Sequence, residues 1–123
     1  PRQFTSSAGL RILVGRSNRQ NDRLTTRTAE KWDLWFHTQK IHGSHVILST
    51  SGEQPDAQSI AEAASLAAYF SQAQSSTKVP VDFTQVKFVK KPAAAKPGMV
   101  VYTNYQTVLA DPNEELVKHL LVK

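Results

Sequence analysis

The sequence predicts an α+β domain: a mainly antiparallel sheet with an Ala-rich helix packed on it and a polar Arg-rich helix at its side. Three observations carry that expectation. Apolar and polar residues alternate over residues 33–38, 45–50 and 78–91, the period of two that belongs to strands, and residues 10–14 are a short apolar-rich run stopped by Gly15. Short glycine-bearing loops, at Ala8-Gly9 and at Gly43, suit neighbouring strands that run in opposite directions. One alanine-rich segment, residues 56–72, has the small-residue face that lets a helix lie close against a sheet. At 123 residues with 40% hydrophobic content, the chain is one domain with a real core and too short for two. It starts at Pro1, and we expect residues 1–123 to be a single domain excised from a longer chain.

In chain order, residues 2–6 and 10–14 form a hairpin in which Gly9 takes positive φ at little cost. The stretch GRSNRQND, residues 15–22, follows. Ser17 and Gln20 make a capping-box pattern, with Ser17 as N-cap of a helix running towards Lys31. Leu24 and Ala29 are the only apolar residues in support, so this helix is expected on the surface. Arg19, Arg23 and Arg27 recur every four residues and form one stripe, and Arg16 precedes the first turn. Free N–H groups at a helix start beside arginines suit an anion. The plainer alternative is a solvated helix with Arg16 and Asp22 paired locally. Neither a Walker pattern nor GxGxxG is present, so this is no nucleotide-binding loop.

The next pair of strands, 33–38 and 45–50, sends Leu34 and Phe36 to one face and Asp33, Trp35 and His37 to the other. Val46 and Leu48 likewise oppose His45 and Ile47. Asp, Trp and His side by side mark a working surface; the alternative is a core Trp35 with histidines bonded to backbone. After a loop at 51–55, the helix of 56–72 presents Ala57, Ile60, Ala61, Ala64, Ala67 and Ala68 as its stripe, widened by Leu66, Tyr69 and Phe70. Residues 78–91 read as one strand, with Val79, Val81 and Phe83 opposite Asp82, Thr84 and Val86, and Pro80 near an edge or at its beginning. A strand at 99–102 turns back through 103–106 into 107–110. Asp111-Pro112 then serves as N-cap and first turn of a terminal helix over 114–121.

The net charge of +5 is unevenly spread. Residues 1–31 carry seven Lys/Arg against two acids, and residues 78–98 carry five Lys against Asp82 alone. Two basic blocks around an acidic middle point to a polyanion, nucleic acid first. With no cysteine, disulfides and thiolate zinc sites are excluded. No apolar run approaches the ~20 residues of a membrane span, and no basic-then-apolar leader is present, so no membrane partner and a cytoplasmic location (or an organellar stroma or matrix) are expected. His37, His42 and His45 with Asp33 lack any recognised ligand spacing, so no metal is expected. Ser44 beside His45 or His37 lacks a nucleophile elbow. No catalytic residue, cofactor or small-molecule substrate is expected. Trp35 and Tyr102 suit base stacking beside a basic groove.

The motifs GRSNRQND (15–22), DLWFH (33–37) and GSHVI (43–47), followed in order by EAASLAAYFS (62–71), VDFTQVKFVKK (81–91) and KPGMVVY (96–102), resemble the NFACT-R domain, the C-terminal part of RqcH/FbpA/NEMF-like proteins. The resemblance covers nearly the whole chain, roughly residues 10–110. It departs at Ser17, where the family usually has a second Asn, a change that keeps capping ability. The resemblance implies an RNA-binding domain, for tRNA and the large ribosomal subunit, in a ribosome-associated quality-control factor that recruits tRNA to stalled subunits. The family's N-terminal domain, helix-hairpin-helix part and coiled coil are not in this sequence, so other domains of the parent chain are expected partners. The residues expected at the RNA are Arg16, Asn18, Arg19 and Arg23 for phosphate, Lys90, Lys91 and Lys96 as a second basic edge, and Asp33, Trp35, His37, Ser44 and His45 between them. Two alternatives stand beside this: a docking module packed on its parent chain, and an adhesin-like fibronectin or fibrinogen binder.

Overall fold

The computed structural model describes residues 1–123. The alternating runs become strands β1 (Arg2–Thr5), β2 (Arg11–Val14), β3 (Leu34–Thr38), β4 (Val46–Leu48), β5 (Val79–Gln85), β6 (Val89–Lys90), β7 (Val101–Tyr102) and β8 (Gln106–Ala110). The helices are α1 (Asn18–Arg23), α2 (Ala57–Tyr69) and α3 (Glu114–Leu120). Six strands pair antiparallel in the order β1-β2-β4-β3-β5-β8, and β6 and β7 form a separate two-stranded ribbon. The α+β architecture read from the alternation is the one observed. Gly9 turns the first hairpin at φ 90°.

Period-two alternation divides the sheet into two cores. Phe4, Ile12, Val14, Phe36, Val46, Leu48, Val79 and Val81 face α2, which closes over them with Ala63, Ala64, Leu66 and Ala67. Leu13, Trp35 and Ile47 point the other way and meet Leu24 and Val86. That second, smaller core lies under α1, the π-helical turn that follows it at Leu24–Thr28, and the β6–β7 ribbon. The functional candidates gather around this second face.

Several expectations are corrected. Residues 78–91 are not one strand: β5 ends at Gln85, a 3₁₀ turn spans Val86–Phe88, and β6 pairs elsewhere. Val86 N–H donates to Asp33 O and Lys87 N–H to Lys31 O, pulling the chain out of the sheet. Of the two placements expected for Pro80, the beginning of the strand is the one observed, and the edge is not: β5 is interior, between β3 and β8. The 99–102 strand does not pair with β8; it pairs with β6. On α2 the buried face is rotated from the expected one: Ser59, Glu62 and Ala63 are buried, while Ala57 and Ala61 are exposed. Glu62 is held by the Ser7 N–H at 2.8 Å and the Ser7 hydroxyl. The N-cap of α3 is Asn113, whose side chain accepts from Leu116 N–H; Asp111 instead accepts from Lys78 N–H.

Candidate nucleic-acid interface

The GRSNRQND stretch builds a scaffold as well as a surface. Ser17 caps α1 by accepting the Gln20 N–H at 3.1 Å, and the Gln20 side chain accepts the Arg16 N–H at 2.9 Å. The capping box therefore closes one residue earlier than the usual reciprocal bond to the N-cap itself. Asn21 is buried and its Oδ1 accepts the His45 N–H at 3.0 Å. A Cβ at Gly15 would lie 2.0 Å from that Oδ1, so this side chain crosses the space that glycine leaves open. Asp22 takes the Lys91 ammonium at 2.9 Å and the Gly98 N–H at 3.2 Å. The Lys91 hydrogen bond holds its carboxyl below the usual carboxylate range. The local Arg16–Asp22 pair of the alternative reading is absent.

Several residues expected on the working surface are structural instead. Asp33 is buried and accepts the Glu30 N–H and the Thr50 N–H, fastening the turn before β3 to the end of β4. His45 is 2% exposed. Its Nε2 lies 3.1 Å from Gly98 O and its Nδ1 2.7 Å from Thr25 Oγ1. A carbonyl only accepts, so Nε2 carries the proton and Nδ1 accepts from Thr25. Burial drives this imidazole down to about 4, with nearby His37 adding to the shift. His45 is thus a neutral cross-brace joining the π-helical turn to the 92–98 loop. Trp35 is 1% exposed, packed 4.7 Å from the Tyr102 ring and 5.4 Å, edge-on, from His45. Its ring is enclosed and offers no open face for stacking. Its Nε1 is a buried donor without a partner, at a cost of ~1–3 kcal/mol.

His37 is half-buried and stacks parallel to Trp35. It donates Nδ1–H to Thr38 O at 2.7 Å, and burial lowers its pKa. Ser44 is half-buried, with its N–H donating to Phe70 O. Tyr102 donates its hydroxyl to the buried Asp82, which also accepts from Thr107 and Gln39. Burial, then that carboxylate, push the Tyr102 phenol up.

The charged residues are arranged differently. Arg16, Asn18, Arg19, Arg23, Lys90, Lys91 and Lys96 are all exposed. Of the fifteen Lys and Arg, only Lys91 and Lys118 are in ion pairs. The two basic blocks lie side by side. Arg19, Arg23 and Arg27 share one cleft with Asp22 and Pro97, and Lys31, Lys87, Lys90 and Lys91 share the next with Thr25 and Thr26 of the π-helical turn. Around the corner, a groove of about 640 Å³ runs between the β3–β4 turn and residues 96–102, with Lys40 and Lys96 among its lining. Lys31, Lys40 and Lys87 have no signal in the sequence beyond their charge; only the fold shows that Lys31 and Lys87 share a cleft with Lys90 and Lys91, and that Lys40 lines the groove with Lys96.

The capped arginine helix and the lysine-bearing ribbon give this α+β module a cationic face whose charge is complementary to a polyanion. The model of the NFACT protein RNA binding domain matches residues 1–104, and the chain belongs to that family. It is 52% identical over 114 residues to the Rqc2 homolog RqcH of Bacillus subtilis, and 41% identical over 123 residues to that of Streptococcus suis. Those matches cover 93% and 99% of this chain but only 20% and 22% of the relatives, so the chain spans about a fifth of their length. The solved C-terminal part of the fibronectin/fibrinogen-binding protein from Streptococcus suis superposes with a TM-score of 0.95 at 40% identity, covering 99% of this chain and 49% of that one.

Proposed function

We propose that this domain binds the phosphate backbone of tRNA or large-subunit rRNA, within a longer cytoplasmic quality-control factor that recruits tRNA to stalled large subunits. The carrying observation is the contiguity of the two basic blocks, Arg19, Arg23 and Arg27 beside Lys87, Lys90 and Lys91, with Lys91 alone among them in an ion pair. Arg16, Asn18, Arg19 and Arg23 contact phosphate from α1, and Lys90, Lys91 and Lys96 from the ribbon and its loop. The domain acts by charge and positioning, with no covalent chemistry, metal or cofactor. His37 and Ser44 border the face, while Asp33, Trp35 and His45 set its shape from beneath.

A second reading has one observation of its own. Leu109 on the edge strand β8 is 65% exposed, which suits a module docked against other domains of its parent chain. Fluorescence anisotropy with structured RNA at several salt concentrations separates the two. Binding is expected in the non-specific range of ~10⁻⁴–10⁻⁶ M and falls steeply with salt, because phosphate contacts release counterions. Arg19→Ala and Arg23→Ala should weaken binding to all RNAs alike and flatten the salt slope. Absence of salt-dependent binding by the parent domain would leave the arginine stripe as a solvated face and docking as the function.

A further inference from the structure

The groove between the β3–β4 turn and residues 96–102 differs in kind from the phosphate-facing clefts. Its volume of about 640 Å³ lies within the ~300–1,000 Å³ of small-ligand sites. No Asp or Glu lines it, whereas Lys40 and Lys96 do, so its charge favours an anion. Its part-exposed rings are Tyr102 and His37, packed on the enclosed Trp35, and amides from Asn18, Asn21 and Gln72 border it. Aromatic rings, amides and lysines together match a base, its hydrogen-bonding edge and its phosphates.

Two further features mark the same place. Lys40 holds a left-handed backbone, φ 61°, where glycine or asparagine would be more at ease. Trp35, on the groove wall, has the one buried side-chain donor in the molecule that lacks an acceptor.

We propose that this groove seats one unstacked nucleotide of a single-stranded RNA, its base beside the part-exposed Tyr102 and His37 and its phosphates on Lys40 and Lys96. The inference rests on the RNA reading above and adds to it a preference for unpaired strand. A duplex keeps its bases stacked and reaches only the arginine–lysine face, whereas a single strand reaches both.

The test is an NMR titration of the ¹⁵N-labelled domain with a single-stranded tetranucleotide, a duplex of the same composition and a nucleoside monophosphate. The Trp35 indole N–H is the reporter, and Trp32, which lines a different cleft with Gly52 and Phe88, is the internal control. The tetranucleotide should shift Trp35 and leave Trp32 in place, and the duplex should move neither. Lys40→Gly keeps the turn, since glycine accepts its φ, and should weaken the tetranucleotide about tenfold by removing one charge-assisted contact. Asn18→Asp puts a carboxylate at the groove while suiting a helix start, and should abolish the Trp35 shift.

A silent Trp35, with duplex and single strand binding at equal salt slopes, would overturn the groove and leave the backbone reading standing. No salt-dependent binding by either RNA would remove both. A monophosphate that shifts Trp35 at the same concentration as the tetranucleotide would also overturn the proposal, because the groove would then be a small-molecule site.

Discussion

Lys91 Nζ lies 2.9 Å from Asp22 Oδ1, the ion pair that joins the second basic block to the arginine helix. The same oxygen accepts the Gly98 N–H at 3.2 Å, so one carboxylate clamps both ends of the 92–98 loop onto α1. Asp22→Asn keeps an acceptor for Gly98 but loses the ion pair. The pair is partly exposed, so the expected cost is about 1 kcal/mol or less. The variant also removes the carboxylate that competes with phosphate for Lys91, so RNA affinity should rise, most at low salt. Chemical melts read the first effect, and anisotropy at several salts reads the second. An unchanged affinity at low salt would mean that Lys91 does not reach RNA.

The fold was legible where the sheet has one buried partner per face. Leu34 and Phe36 against Asp33 and His37, and Val46 and Leu48 against His45, mark the face of β3 and β4 that meets α2 by alternation alone. The cover over the second face was not legible. Its apolar residues, such as Leu24, Val86, Val89 and Val100, are scattered through polar and basic segments, and no window of sequence shows them as a layer. For that reason Asp33, Trp35 and His45 read as surface when they are buried. The β5 break had a similar cause: Val86 and Val89 stay apolar through the 3₁₀ turn, so alternation continues where the strand stops. The basic stripe was legible because charge and a spacing of four need no tertiary knowledge.

Helix α2 gives a direct check of which face is buried. Ala64 and Ala67 are 1% and 0% exposed against the sheet, so Ala64→Leu or Ala67→Leu should destabilise by ~1–3 kcal/mol through overpacking. Ala61 is exposed, and Ala61→Leu should fall within about 0.5 kcal/mol of the parent. Thermal melts that rank Ala61→Leu with the other two would restore the stripe read from the sequence.

Gly15 and Asn21 should behave as a coupled pair. The Cβ of Gly15→Ala would meet Asn21 Oδ1 at 2.0 Å and Asn21 N at 3.0 Å, displacing the side chain that accepts the His45 N–H. Gly15→Ala should cost ~1–3 kcal/mol. Asn21→Ala alone leaves that N–H buried without its acceptor, also ~1–3 kcal/mol. In the double variant the clash with the side chain has gone, so the loss should be clearly smaller than the sum. Urea denaturation of the four proteins measures the coupling, and strict additivity would show that the two residues act separately.

The last prediction follows from the protonation state of His45. Its native pKa is lowered from 6.5 to about 4 by burial first and by His37 second, with Asp22 and Gly98 O opposing. In the unfolded chain it titrates near 6.5, so between those values the unfolded state binds the extra proton. Stability therefore rises with pH across that window and is lost as pH falls from about 6.5 towards about 4. The loss attributable to His45 is on the order of 3 kcal/mol by the bottom of the window, and His37, lowered in the same direction, adds to it. His45→Gln cannot take the proton: it should be less stable than the parent at pH 7, where the brace between Thr25 and Gly98 is weakened, but show a flatter profile below pH 6.5. Melts at half-unit steps from pH 7 to pH 5 stay above the range where carboxylates dominate. Parallel profiles for the parent and His45→Gln would mean that His45 is not the neutral brace its bonds describe.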